Sequence, residues 1–221
     1  MALARKIAYN VVFNSVLKVT STVFIALLSI RLITGYLGQE GFGEYATVLA
    51  FFAFFGAIGD LGLANVTARE IAKPNVDEAE FFGKVAALRV FASLVIILLT
   101  PLALFWFHYA ASVKGGIVII TLALLFAQFS TLLNGIFQKR LAMDRVAMVE
   151  FAGKILQFIL IYAAVRFDLG FLAVVSAVLI TMLFNATLTL YLSRAFLRFH
   201  LSWDTVFWMR VMLDVWPLGL A

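Results

Sequence analysis

Long apolar runs constrain the possible folds of this chain more than any other feature. A helix needs about 20 apolar residues to cross a bilayer, and six stretches reach that length: residues 11–34, 42–68, 82–107, 116–137, 146–165 and 170–192. The runs are continuous and rich in Leu, Ile, Val and Phe, whereas membrane-barrel strands alternate over short segments. Charged residues make up 13% of the chain, against about 25% in soluble domains. The sequence therefore predicts an all-α integral membrane protein with a six-helix transmembrane bundle.

The regions outside these runs predict the domain organisation. We expect residues 1–10 to form a cytoplasmic N-terminal stub and residues 11–194 to form the bundle. Residues 195–221 are predicted to be an amphipathic linker and the truncated start of a seventh span. Lys18 interrupts the first run and no small-residue cleavage site follows, so this run is not expected to be a signal peptide.

The predicted linker has one apolar face, typical of a helix lying in the membrane interface. The residues on this face are Phe199, Trp203, Val206, Phe207 and Arg210. The apolar stretch that follows, VMLDVWPLGLA, is too short to cross a bilayer. It is either a short hydrophobic anchor or the beginning of a further span. We expect the second, which would make the chain a fragment.

The basic residues predict the orientation of the bundle. With the N-terminus inside, 14 of the 17 basic residues lie at inner loops and inner helix ends, and Arg31, Lys114 and Arg166 lie toward the outside. Such an excess of Lys and Arg marks the cytoplasmic side of membrane proteins. We therefore expect a multi-pass protein of the cytoplasmic (inner) membrane with a cytoplasmic N-terminus. The same topology explains the net charge of +5, so no nucleic-acid partner is expected.

Residues 31–70 hold a glycine-rich turn followed by a stripe of small residues. The glycines at 35, 38, 41 and 43 separate the first two runs, and small residues then recur from Ala46 to Ala64 at near-helical spacing. Small residues let two membrane helices approach closely. Asp60 lies inside this stripe, where a carboxylate must face protein or a water-filled cavity. Asp60 is thus a candidate ion-coupling residue, or part of a packing face.

Polar residues recur at helical spacing on several of the predicted spans. One interpretation is that they hydrogen-bond between helices. Because several helices carry such a face, we instead expect them to surround a hydrophilic cavity. The candidate substrate-binding residues are Asn14, Lys18, Arg31, Arg89, Gln128, Gln138, Lys154, Gln157 and Asn185.

The charges on these faces predict an anionic substrate. Lys18, Arg89 and Lys154 are cationic. The acids are Asp60 and Glu150, and Glu150 is expected to form an i,i+4 ion pair with Lys154. A basic lining suits a phosphate or diphosphate headgroup. The alternative for the three cations is snorkelling to the inner surface. Arg31, near the outer end of the first run, is expected to snorkel outward or to pair with Asp60.

The sequence offers little for catalysis. It has no cysteine, and its two histidines, His108 and His200, lie at predicted helix ends beside aromatic residues. It shows no metal-ligand spacing, no nucleophile elbow and no phosphate-binding glycine loop ahead of a soluble helix. We therefore expect neither an enzyme nor a cofactor.

The first two runs resemble the N-terminus of the polysaccharide biosynthesis (O-antigen-type) flippases, whose superfamily also holds the MATE exporters and the lipid II flippases. The resemblance is carried by a turn motif, Arg31-x-x-Thr34-x-Tyr36-Leu37-Gly38-x-Glu40-x-Phe42-Gly43-x-Tyr45, and by Asp60-Leu61-Gly62-Leu63 and Thr67-x-Arg69-Glu70. It extends more weakly over the whole chain. It implies that the bundle is one lobe of a MATE-like transporter with two six-helix lobes.

The resemblance also implies a function. Family members are thought to move undecaprenyl-diphosphate-linked oligosaccharides to the outer leaflet by alternating access. The implied partners are a lipid-linked anionic glycan, the bilayer, and a polysaccharide polymerase or export machinery. Two alternatives remain open. One is a cation-coupled multidrug exporter of the same fold, with Asp60 as the coupling site. The other is a non-transporting scaffold subunit.

Overall fold

Long helices dominate the structure. The computed structural model describes the backbone of residues 2–60, 77–197 and 199–211, and the side chains of residues 23–59, 77–197 and 199–211. The described ranges contain no strand, and their long helices are α1 (Ala2–Asp60), α2 (Glu78–Trp106), α3 (Ala111–Lys139), α4 (Met143–Arg166) and α5 (Phe171–Ser193). Each of these helices is long and apolar enough to cross a membrane. In α1 the stretch that meets this criterion is Val23–Gly59. The predicted all-α membrane fold is confirmed, and the chain is a multi-pass membrane protein.

α1 is interrupted at Gly38, which has φ 69° and ψ −173°. Glycine adopts this left-handed-region conformation because it has no Cβ. The arm after Gly38 follows α3 in the same direction. The Ser112 hydroxyl donates to Glu44 at 2.9 Å, and further along both helices the Gln128 amide donates to the Gly56 carbonyl at 2.8 Å.

The arm before Gly38 runs in the opposite direction. Near its end, the Tyr36 hydroxyl donates to Asp168 Oδ1 at 2.6 Å and accepts from the Gly170 backbone N–H at 2.9 Å, both in the connection between α4 and α5. Thirteen residues earlier, Val23 lines the same cavity as Ala127 and Asn134, which lie in the second half of α3. The two arms therefore form a hairpin, which corresponds to the first two predicted spans.

The bundle has two chemically different ends. The Tyr36 end contains residues 36–44, 107–115 and 167–171. The Lys84 end contains residues 78–84, 137–145, 193–197 and 199–211. Described basic residues at the Lys84 end are Lys84, Lys139, Arg140, Arg145, Arg194 and Arg210, whereas Arg31, Lys114 and Arg166 lie toward the Tyr36 end. Glu78 binds Lys139 at 2.8 Å and Arg140 at 3.1 Å, which ties the start of α2 to the end of α3.

The charge difference between the ends leads to a testable prediction of orientation. Because Lys and Arg are retained on the cytoplasmic side, we expect the Lys84 end to be cytoplasmic. Reporters fused at Gln39, Lys114 and Asp168 should report outside, and reporters fused at Pro74, Asp144 and Arg198 should report inside. Compartment-specific reporter activity measures this, and two or more reversals would contradict the orientation.

α3 is the central helix, and its core contacts depend on small residues. Val48, Ile117 and Val174 are fully buried where α1, α3 and α5 meet. A Cβ on Gly116 would lie 2.9 Å from a Val48 methyl group and 3.1 Å from the Phe171 ring, so glycine allows this close approach. Without water to drive helices together, such packing supplies much of the stability of a membrane bundle.

The segment 199–211, which we call the docking segment, packs against the start of α2. Its helix covers residues 205–211. Phe199 and Trp203 therefore lie outside the helix, which differs from the predicted amphipathic face. Trp208 is buried within the described structure, whereas Val206 is 69% exposed.

Polar contacts hold the docking segment in place. Asp204 accepts from the Phe207 backbone N–H at 2.9 Å and binds Lys84 at 2.8 Å. The Lys84 ammonium, followed by that backbone N–H, lowers the pKa of the Asp204 carboxyl below its usual value. The stretch predicted to start a seventh span, residues 211–221, begins at the last residue of this segment, and residues 212–221 lie outside the described residues.

Candidate functional site

A cavity of about 510 Å³ lies between the first arm of α1, α3, α4 and α5. It occupies the halves of α3, α4 and α5 nearer the Lys84 end. Apolar side chains such as Val23, Phe151 and Met182 form part of its wall. Its polar lining residues are Ser130, Thr131 and Asn134 from α3, Glu150 and Lys154 from α4, and Thr181, Asn185 and Thr189 from α5.

Lys154 and Glu150 are the charged residues of the described lining. Lys154 Nζ donates to Gln157 Oε1 at 3.3 Å. Glu150 is exposed, and no ion pair joins it to Lys154 among the described residues. The predicted Glu150–Lys154 pair is therefore wrong. The cavity presents a carboxylate and an ammonium group one helical turn apart, each available to a ligand.

Asn185 and Ser130 place further polar atoms at the cavity. The side-chain oxygens of both residues are buried, and neither has a hydrogen-bond partner within the described part of the chain. Asn185 packs directly over Gly153, where a Cβ would lie 2.2 Å from Asn185 Oδ1. Thr131 and Thr181 instead donate to the Ala127 and Ala177 carbonyls of their own helices. Both residues line the cavity, but these two oxygens are buried between the helices and are not open to it.

Arg89 and Gln128 belong to a separate network. Arg89 is 2% exposed, and its Nη1 donates to Gln128 Oε1 at 2.7 Å and to the Gln128 carbonyl at 3.2 Å. The Gln128 amide continues to the Gly56 carbonyl, so the network joins α2, α3 and the second arm of α1. Arg89 is buried between helices and does not snorkel to the surface. The structure places neither residue in the described cavity lining.

The remaining candidates fall in different places. Gln157 contacts Lys154, Gln138 is exposed near the C-terminal end of α3, and Arg31 is exposed toward the Tyr36 end. Asn14, Lys18 and Asp60 lie outside the described side chains. Among the described residues, no group of three His, Cys, Asp or Glu side chains could hold a metal ion.

Sequence reasoning did not single out Ser130 and Phe151 as lining residues. On α3, Ala127, Thr131 and Asn134 share the face toward the cavity, and Ser130 lies at its edge. Gln128 points about 100° away from Ala127. The spacing of Ser130 and Asn134, four residues apart, was the available signal. Phe151 gave no signal, because a phenylalanine in an apolar run is usually a packing residue.

The sequence model of a family described as polysaccharide biosynthesis protein matches residues 4–221. This match confirms the resemblance carried by residues 31–70. No curated protein and no solved structure matches the chain significantly.

Proposed function

Because the chain belongs to the polysaccharide biosynthesis protein family, we propose that it works as a flippase that moves a polyprenyl-diphosphate-linked oligosaccharide across the cytoplasmic membrane by alternating access. The observation that carries the proposal is the 510 Å³ cavity within the membrane bundle. Sites for small ligands commonly have volumes of about 300–1,000 Å³. The chain would contribute one wall of a larger transport pathway.

The polarity of the cavity supports transport over a scaffold role. Ionisable groups inside a membrane protein are costly and generally face a functional site or a water-filled space. Glu150 and Lys154 line the cavity in the same half of the bundle as Ser130 and Asn185. A scaffold would bury such groups against partner helices and would gain nothing from an open polar volume.

Lys154→Gln tests the proposal in the intact protein. We expect the transfer of a fluorescent lipid-linked oligosaccharide in reconstituted vesicles to fall by about tenfold or more, since one charge-assisted hydrogen bond contributes about 1.5–3 kcal/mol. The matched control is Arg166→Gln, on the same helix at the Tyr36 end, which should transfer normally. Unchanged transfer in Lys154→Gln would contradict a role of the cavity in transport.

Glu150 is the observation that favours the alternative, a cation-coupled exporter. Its carboxylate lies at the cavity without an ion pair to Lys154, as a proton or cation site would require. Asp60, the acid suggested by the sequence, lies outside the described side chains. Export of a drug that depends on a cation gradient tests this alternative. Loss of export in Glu150→Gln, together with normal export in Lys154→Gln, would support the exporter.

A further inference from the structure

The described cavity lining has an almost balanced charge. It holds one lysine and one glutamate, and the other polar groups are amides and hydroxyls. Arg89, which the sequence assigned to the cavity, is buried in a different network with Gln128. A diphosphate is normally bound by several cationic groups. In the described lining it would meet one ammonium and a carboxylate one turn away, and that carboxylate would repel it.

The same groups suit a ligand that carries many hydroxyls. Glu150 accepts hydrogen bonds and Lys154 donates them, while Asn134 and Asn185 can do both. Phe151 adds an aromatic ring to the wall, which can pack against the apolar face of a pyranose. Mostly apolar walls with a few directed polar groups are typical of small-ligand sites.

We infer that this cavity binds a hydroxyl-bearing sugar unit, and that the diphosphate of the substrate binds elsewhere. This inference rests on the proposed function, because it assigns one part of the proposed substrate to the cavity. Lys154 and Glu150 would each bind uncharged sugar oxygens. The two residues thus act as a matched donor and acceptor in sugar recognition.

Protection of a cysteine tests this directly. The chain has no cysteine, so Ala147→Cys places one thiol in the cavity wall and keeps every polar lining residue. We expect diacetylchitobiose to slow the reaction of this thiol with a small polar reagent in phosphatidylcholine nanodiscs. Inorganic diphosphate at equal ionic strength should not. The control is Ile180→Cys on α5, which is 43% exposed on the bundle surface and should show no protection.

Charge variants in the Ala147→Cys background sharpen the test. Glu150→Gln and Lys154→Gln should each weaken protection by diacetylchitobiose about tenfold, since each loses one charge-assisted hydrogen bond. In a diphosphate site the two variants would act in opposite directions. Lys154→Gln would abolish protection by diphosphate, and Glu150→Gln would strengthen it by removing a like charge.

The outcomes separate this inference from the proposed function. Protection by diphosphate alone, strengthened in Glu150→Gln, would overturn the sugar assignment and make the cavity a headgroup site. Protection by neither probe would also overturn it. In both cases the transfer assay on Lys154→Gln still decides the proposed function, because transport requires the cavity whichever part of the substrate it binds.

Discussion

Replacing Gln128 with leucine is expected to lower the free energy of unfolding by about 3 kcal/mol or more. Gln128 provides both acceptors described for the Arg89 guanidinium, and its amide donates to Gly56. Leucine keeps a similar size and leaves the backbone acceptor, but removes the side-chain acceptor at 2.7 Å and the donor at 2.8 Å. The apolar side chain of leucine offsets little of this cost. Burying it between membrane helices gains little free energy, because the lipid tails outside the bundle are as apolar as leucine.

Gln138→Leu is the matched control, since it makes the same substitution on the same helix. Gln138 is exposed, and surface substitutions usually change stability by less than about 0.5 kcal/mol. Denaturant unfolding of both variants in detergent micelles measures the difference. Equal unfolding midpoints for the two variants would show that the buried network contributes nothing measurable to stability.

A double-mutant cycle then identifies the group that causes the loss. In an Arg89→Met background the guanidinium is absent. Gln128→Leu should therefore lower the free energy of unfolding by much less there than in the wild type. The part that remains would report the hydrogen bond from the Gln128 amide to the Gly56 carbonyl. An equal cost in both backgrounds would mean that Arg89 and Gln128 are not energetically coupled.

Gly83→Ala is expected to displace the docking segment from α2. A Cβ at this position would lie 2.1 Å from the His200 carbonyl oxygen, and a backbone atom cannot rotate away as a side chain can. Overpacking of this kind costs about 1–3 kcal/mol. Displacement would break the hydrogen bond from the Trp208 indole to the Lys84 carbonyl, now 3.0 Å, and the bond from Ser202 N to the Gly83 carbonyl, now 3.3 Å.

Tryptophan fluorescence measures this displacement. In a background where Trp208 is the single tryptophan, its emission should shift to the red in Gly83→Ala, because the ring loses its packing on Phe91, now at a centroid distance of 5.5 Å. Gly43→Ala is the control, since a Cβ there meets no atom within 4 Å and alanine favours a helix by about 1 kcal/mol. An unshifted spectrum in Gly83→Ala would contradict the close contact of Gly83 with His200.

The sequence by itself determined the fold class, because apolar length and helical spacing are local properties of the chain. It also placed a reversal among the glycines at positions 35–43, and the structure locates it at Gly38. The faces of α4 and α5 that hold Lys154 and Asn185 were predicted, and the structure places both residues at the cavity. Helical periodicity was sufficient for these residues because each shares its face with other polar groups.

Only the tertiary structure decided which neighbour each polar face meets. Periodicity gives the angle between two side chains on one helix and carries no information about the helix opposite. Gln128 therefore looked like a cavity residue until the position of α2 assigned it to Arg89. Lys154 looked like the ion-pair partner of Glu150 until its side chain was seen to contact Gln157. The buried face of the docking segment was likewise decided by the tertiary structure, because it depends on the space that Gly83 leaves on α2.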